Sequence, residues 1–105
     1  MKLLRFVGTS LEDLSRFPLA AKRAAGFELW QVQSGLEPSD WKPMNDVGLG
    51  VREIRIRAGG AWRVMVVTKF GTAVYVLHAF GKKTQRTLQA DLDLARLRYK
   101  EIAKR

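Results

Sequence analysis

At 105 residues the chain is sized for one domain with a modest core, and its 47% hydrophobic content is enough to fold it. The absence of cysteine removes disulfides, thiolate nucleophiles and Cys-based zinc sites together; with no membrane-length apolar run or signal-peptide core, a soluble cytoplasmic protein is the expectation. Nineteen Lys and Arg against ten Asp and Glu, a net charge of +9 with pI near 10.5, point to a polyanionic partner: nucleic acid first, an acidic protein second, an anionic membrane surface last.

In chain order, Lys2 to Val7 reads as a first strand. Gly8-Thr9-Ser10 breaks it, with Ser10 as the N-cap of a helix from Leu11 to Phe17. Pro18 suits the first turn of a second helix, Leu19 to Gln33, which Gly26 weakens by about 1 kcal/mol relative to Ala and Gly35 ends. Glu37 to Gly50, rich in proline and glycine, reads as a loop pinned by Trp41, Met44, Val47 and Leu49. Val51 to Arg57 alternates, with Ile54 and Ile56 on one face and Glu53, Arg55 and Arg57 on the other. Ala58-Gly59-Gly60 is a hairpin turn. Ala61 to Phe70 and Ala73 to Phe80 complete an antiparallel meander. The tail from Thr84 to Arg105 is helical, with Leu88, Leu92, Ala95, Tyr99 and Ile102 as its apolar stripe. The fold class is α+β, in a single domain over residues 1–105.

The polar face of the meander carries the chemistry. Arg55 and Arg57 project from one face, and Arg63 lies across the short turn. Their guanidinium forks match phosphate oxygens. The same pattern also describes an ordinary solvated sheet face, on which Glu53 would pair with Arg55 or Arg63 across strands. Composition tips the balance: arginines outnumber acids there, and the stretch HAFGKKTQRT (residues 78–87) brings His78, Lys82 and Lys83 to the end of that face.

His78 is the only histidine, so a multi-His metal site is ruled out; it is read either as a packed residue or as a proton carrier. Strict alternation puts His78 with Val74, Val76 and Phe80, and Tyr75 with Leu77 on the other side. A core built on Val74 and Val76 would therefore take His78 away from the cleft. Phe80 is read as core or as a ring for base stacking. Glu12, Asp13, Asp91 and Asp93 sit near helix starts and are read as dipole partners. No P-loop, GxSxG or dinucleotide fingerprint is present.

The segments DWKPM (residues 40–44), VGLGVREIRIR (47–57) and YVLHAFGKKTQ (75–85) resemble the phage-derived, HigB-type branch of the RelE/ParE toxin superfamily, and the resemblance spans essentially the whole chain. It implies a toxin of a type II toxin–antitoxin pair that cleaves mRNA, commonly on the ribosome, by attack of the 2′-OH on the adjacent phosphate, with no metal or other cofactor. It implies a helix-turn-helix, HigA-like antitoxin as partner. By position, Arg55, Arg57 and Arg63 would hold the phosphate, Lys82 and Lys83 would add charge, and His78 would move protons. Phe80, Arg52 and Arg86 are the further RNA-binding candidates. Arg55→Ala and Arg63→Ala are both expected to leave the fold intact, as sheet-surface changes do. Two other readings stand beside this one: a ParE-like poison of DNA gyrase, and a non-catalytic nucleic-acid-binding module.

Overall fold

The strands follow from alternation, the helices from apolar stripes that cover the two faces of one sheet. The structure is a computed structural model that describes residues 1–84 and 86–104; Gln85 and Arg105, assigned above to the HAFGKKTQRT stretch and the end of the last helix, lie outside the described residues. The order is β1 (Leu3–Phe6), α1 (Ser10–Ser15), α2 (Leu19–Gln33), β2 (Trp41–Pro43), β3 (Arg52–Arg57), β4 (Ala61–Val67), β5 (Ala73–Gly81) and α3 (Gln89–Ala103). The sheet has five strands in the order β1-β5-β4-β3-β2, and β1 pairs with β5 in parallel while the other pairs are antiparallel. The α+β class and the C-terminal helix are as the sequence predicts.

Two apolar layers sandwich the sheet. On one face Ile54, Ile56, Val64, Val66, Val74 and Val76 meet Leu14 and Phe17 near α1 and Ala21, Ala25, Leu29 and Val32 of α2. On the other, Val51, Met65, Val67, Leu77 and Phe80 meet Ala95 and Ile102 of α3. Each fully buried Val or Ile contributes about 1.5–3 kcal/mol of transfer free energy.

The structure corrects several boundaries. Ser10 does not cap α1; it is the first helical residue, fully buried, and its hydroxyl donates to the Val76 carbonyl at 3.0 Å. Thr9 takes the N-cap position. Pro18 stands one residue ahead of α2, at its N-cap. Residues 41–43, read as loop, form the edge strand β2, where Lys42 pairs with Glu53. Three residues are too few to show alternation, and Pro43 is tolerated because the strand is an edge. The last helix starts at Gln89, not Thr84, because Leu88 is extended and Thr87 turns its hydroxyl onto the sheet.

The most consequential departure is in β5. Met65 pairs with His78, but the next residue of β4, Val66, pairs with Val76, so Leu77 has no partner across the ladder. Such a bulge breaks strict alternation. Val74, Val76 and Ala79 enter the layer under α2, whereas Leu77 and Phe80 enter the layer under α3. The bulge is fastened on both sides: Ser10 holds the Val76 carbonyl, and the buried Arg98 of α3 donates from Nη1 to the Leu77 carbonyl at 2.8 Å and from Nη2 to Thr9 Oγ1 at 3.0 Å.

Candidate functional site

The residues of the polar face now have a geometry. Cross-strand pairing sets Arg55 opposite Arg63, Glu53 opposite Met65 and Arg57 opposite Ala61, while Arg63 is also opposite Phe80 and Lys42 opposite Glu53. Directly paired residues share a face, so Lys42, Glu53, Arg55, Arg57 and Arg63 project together on the α3 side. Lys82 follows the end of β5, anchored by its backbone N–H to the Ala61 carbonyl at 2.8 Å.

Glu53 is the centre of this cluster and is fully buried. Its Oε2 accepts from Thr87 Oγ1 at 2.9 Å, and its Oε1 lies 3.5 Å from Arg63 Nε, an ion pair that is not aligned as a hydrogen bond. Arg63 is also buried and donates from Nη1 to the Trp62 carbonyl at 2.9 Å. The sequence-based expectation that Arg63 sits on a solvated surface is therefore corrected: its neighbour across the ladder is Phe80 and its counter-ion is inside.

Among the described residues, Lys42, Arg55, Arg57 and Lys82 have no carboxylate partner within ion-pair distance. One buried acid thus faces several cations. The imbalance shows in the titration. Desolvation lowers Lys82, and the like charges of Arg63, Lys42 and Arg55 lower it further against the opposing pull of Glu53. Arg63 is lowered by burial first, with Glu53 opposing, though a guanidinium stays charged in any case. An anion entering this face would relieve the mutual repulsion.

Room for it exists beside the cluster. An open groove of about 930 Å³ is lined by Lys42, Met44, Asp46, Arg86, Thr87 and Leu92, among others. A smaller hollow of about 190 Å³ is bounded by Phe80, Lys82, Lys83, Arg86 and Asp91. Among the described residues no group of three or more His, Cys, Asp and Glu side chains is placed to hold a metal ion.

A family model described as "Phage derived protein Gp49-like (DUF891)" matches residues 12–100, from α1 through nearly all of α3. The chain belongs to the phage-derived Gp49-like family. That family is grouped with the RelE-like toxins and is consistent with the toxin of a toxin–antitoxin pair. No curated protein matches the sequence.

In this Gp49-like chain the remaining candidates divide. The bulge carries His78 to the α3 side, but there it is almost fully buried, with Nε2 2.7 Å from Asp91 Oδ1 and its ring stacked on Phe80 at 4.7 Å between centroids. His78 Nδ1 is buried and has no hydrogen-bond partner among the described residues. Phe80 is core, and His78 covers one of its faces. Lys83 and Arg86 are exposed at the rim of the hollow. Arg52 does not join the cluster: it pairs with Val66 on the opposite face, and its guanidinium lies 4.7 Å over the Trp41 ring. Lys42, Glu53, Thr87 and Asp91 are part of the site without having been singled out for it. Only Glu53 had a legible signal, as the lone acid alternating with arginines in REIR.

Proposed function

We propose that this Gp49-like protein is the toxin of a type II toxin–antitoxin pair of the HigB type, and that it is an endoribonuclease acting on mRNA, on the ribosome, in the cytoplasm. Its silencing partner in this reading is a helix-turn-helix, HigA-like antitoxin. The observation that carries the reading is the cluster of Arg55, Arg63, Lys42 and Lys82 around one buried carboxylate, beside an open groove. Among the described residues, no helix is long and apolar enough to cross a membrane.

The chemistry asked of such a site is modest. The 2′-oxygen of a ribose attacks the adjacent phosphorus, the bond from phosphorus to the 5′-oxygen breaks, and a 2′,3′-cyclic phosphate and a 5′-hydroxyl result. Charge builds on the phosphoryl oxygens, and preorganised cations stabilise it. Arg55 and Arg63 are the clamp in this reading, with Arg57 and Lys83 at the rim. Lys82, which gives up its proton more readily than an ordinary lysine, takes the 2′ proton and returns one to the leaving 5′-oxygen. His78 is too enclosed to touch RNA and serves by holding the end of β5 against Asp91.

The test is induced expression in bacteria with primer extension on a chosen mRNA. Arg55→Ala is the informative variant, because Arg55 is only half-buried whereas Arg63 is held inside with Glu53. New 5′ ends within translated codons are expected for the wild type and none for Arg55→Ala. Growth arrest with intact mRNA would reject cleavage and move the target to DNA gyrase or another partner.

A further inference from the structure

The exposed positions of α2 are Leu19, Ala20, Arg23, Gly26, Phe27 and Trp30. A water-facing helix surface ordinarily carries charges. Here Leu19, Phe27 and Trp30 are 58%, 54% and 48% exposed, and the Phe27 and Trp30 rings lie together with centroids 6.0 Å apart. Between them and Arg23, Gly26 sits mid-helix with ordinary helical dihedrals, and a Cβ there would meet no heavy atom within 4 Å. Nothing inside the fold asks for glycine at that point, and it weakens the helix. A missing side chain on a surface lets a neighbouring backbone come close.

Charge selects the neighbour. Arg23 is the only charged residue among the exposed positions, and half-buried Lys22 flanks it. The one acid of α2, Glu28, is turned inward and accepts from the Ser39 N–H and hydroxyl at 2.6 and 2.9 Å. A second copy would bring two chains of charge +9 together across this basic-edged stripe. We propose that the outer face of α2 is a docking surface for an amphipathic helix of a different protein, with an apolar stripe seated over Gly26 between Phe27, Trp30 and Leu19 and a carboxylate set against Arg23. Aromatic and arginine side chains are the usual anchors of such contacts. The surface lies across the sheet from the basic cluster, so an occupant there leaves the cluster open. The proposal is therefore independent of RNA cleavage.

The experiment titrates the full chain with a synthetic helical peptide bearing a leucine stripe flanked by glutamates, and with its lysine counterpart, following backbone amide shifts. The glutamate peptide should shift residues 19–30 and bind at least tenfold more tightly than the lysine peptide. Gly26→Gln, which meets open space in the fold, should weaken that binding at least tenfold while thermal unfolding is undiminished. Arg23→Glu should invert the preference between the peptides. Shifts confined to the region of Arg55, Arg63 and Lys82, equal binding of the two peptides, or no binding would overturn the proposal. So would a concentration-dependent dimer in sedimentation that Gly26→Gln dissolves, since the occupant would then be a second copy.

Discussion

Replacing Glu53 by Gln keeps the shape of the side chain and an oxygen for Thr87, but removes the only buried negative charge in the basic cluster. At 3.5 Å and an effective dielectric of roughly 20, the attraction between Glu53 and Arg63 is about 5 kcal/mol. Desolvating two ions costs several kcal/mol each, so the intact pair is close to neutral in net stability. Its breakage is not neutral, because Arg63 stays buried without its counter-ion. Glu53→Gln should cost about 3 kcal/mol, the low end for a broken buried pair, since the hydrogen bond from Thr87 survives. Arg63→Gln should cost less, about 2 kcal/mol, because Lys42, Arg55 and Lys82 still surround the carboxylate. The double variant should recover about 1–3 kcal/mol relative to the sum, as expected of residues in contact. Urea unfolding followed by circular dichroism at neutral pH measures all corners of the cycle. Strict additivity would refute the reasoning: Glu53 would then be held by Thr87 alone, and its approach to Arg63 would be incidental.

Arg98→Met should destabilise the fold by about 2–4 kcal/mol in the same assay, because the buried Leu77 carbonyl loses its charged donor; a loss below about 0.5 kcal/mol would mean that the bulge needs no fastening. Lys82 gives a pH prediction. Its proton is held less tightly in the fold, so the unfolded chain binds more protons between the lowered value and 10.5, and its contribution to stability grows as pH rises through that window. Anion affinity should run the other way: binding of an RNA oligonucleotide with 2′-deoxyribose at the reacting position, read by fluorescence anisotropy, should weaken below the ordinary lysine range and stay level in Lys82→Arg.

The strands that alternate cleanly were legible. Ile54 and Ile56 against Glu53 and Arg55 gave both the core face and the polar face of β3, and the two glycines after Ala58 gave its turn. The pairing of β1 with β5 was not, because it joins residues some seventy positions apart and leaves no local pattern. The side of the sheet to which His78 turns was illegible for a different reason. A bulge costs one residue of register and is set by what grips its carbonyls, and the gripping groups, Ser10 and Arg98, come from two helices. Ser10 looked like a cap, and nothing in the pattern of the last helix singled out Arg98, since arginines on helices are mostly exposed. In the site, the arginines announced themselves by repetition, whereas Thr87 and Asp91 act through tertiary contacts to Glu53 and His78.

The position of β5 also sets the order in which the sheet can be assembled. It lies between β1 and β4, and its carbonyls receive the side chains of Ser10 and Arg98. During synthesis β1 emerges first and has nothing to pair with until Ala73–Gly81 has been made. Parallel pairing over such a separation carries a large loop-closure cost and is slow to form. The basic face needs the same strand, because Phe80 and Lys82 bound it on that side. A nascent fragment that stops short of β5 lacks Phe80, Lys82 and the strand that joins β1 to the rest of the sheet, so the basic face is bounded on all sides only after β5 has been made.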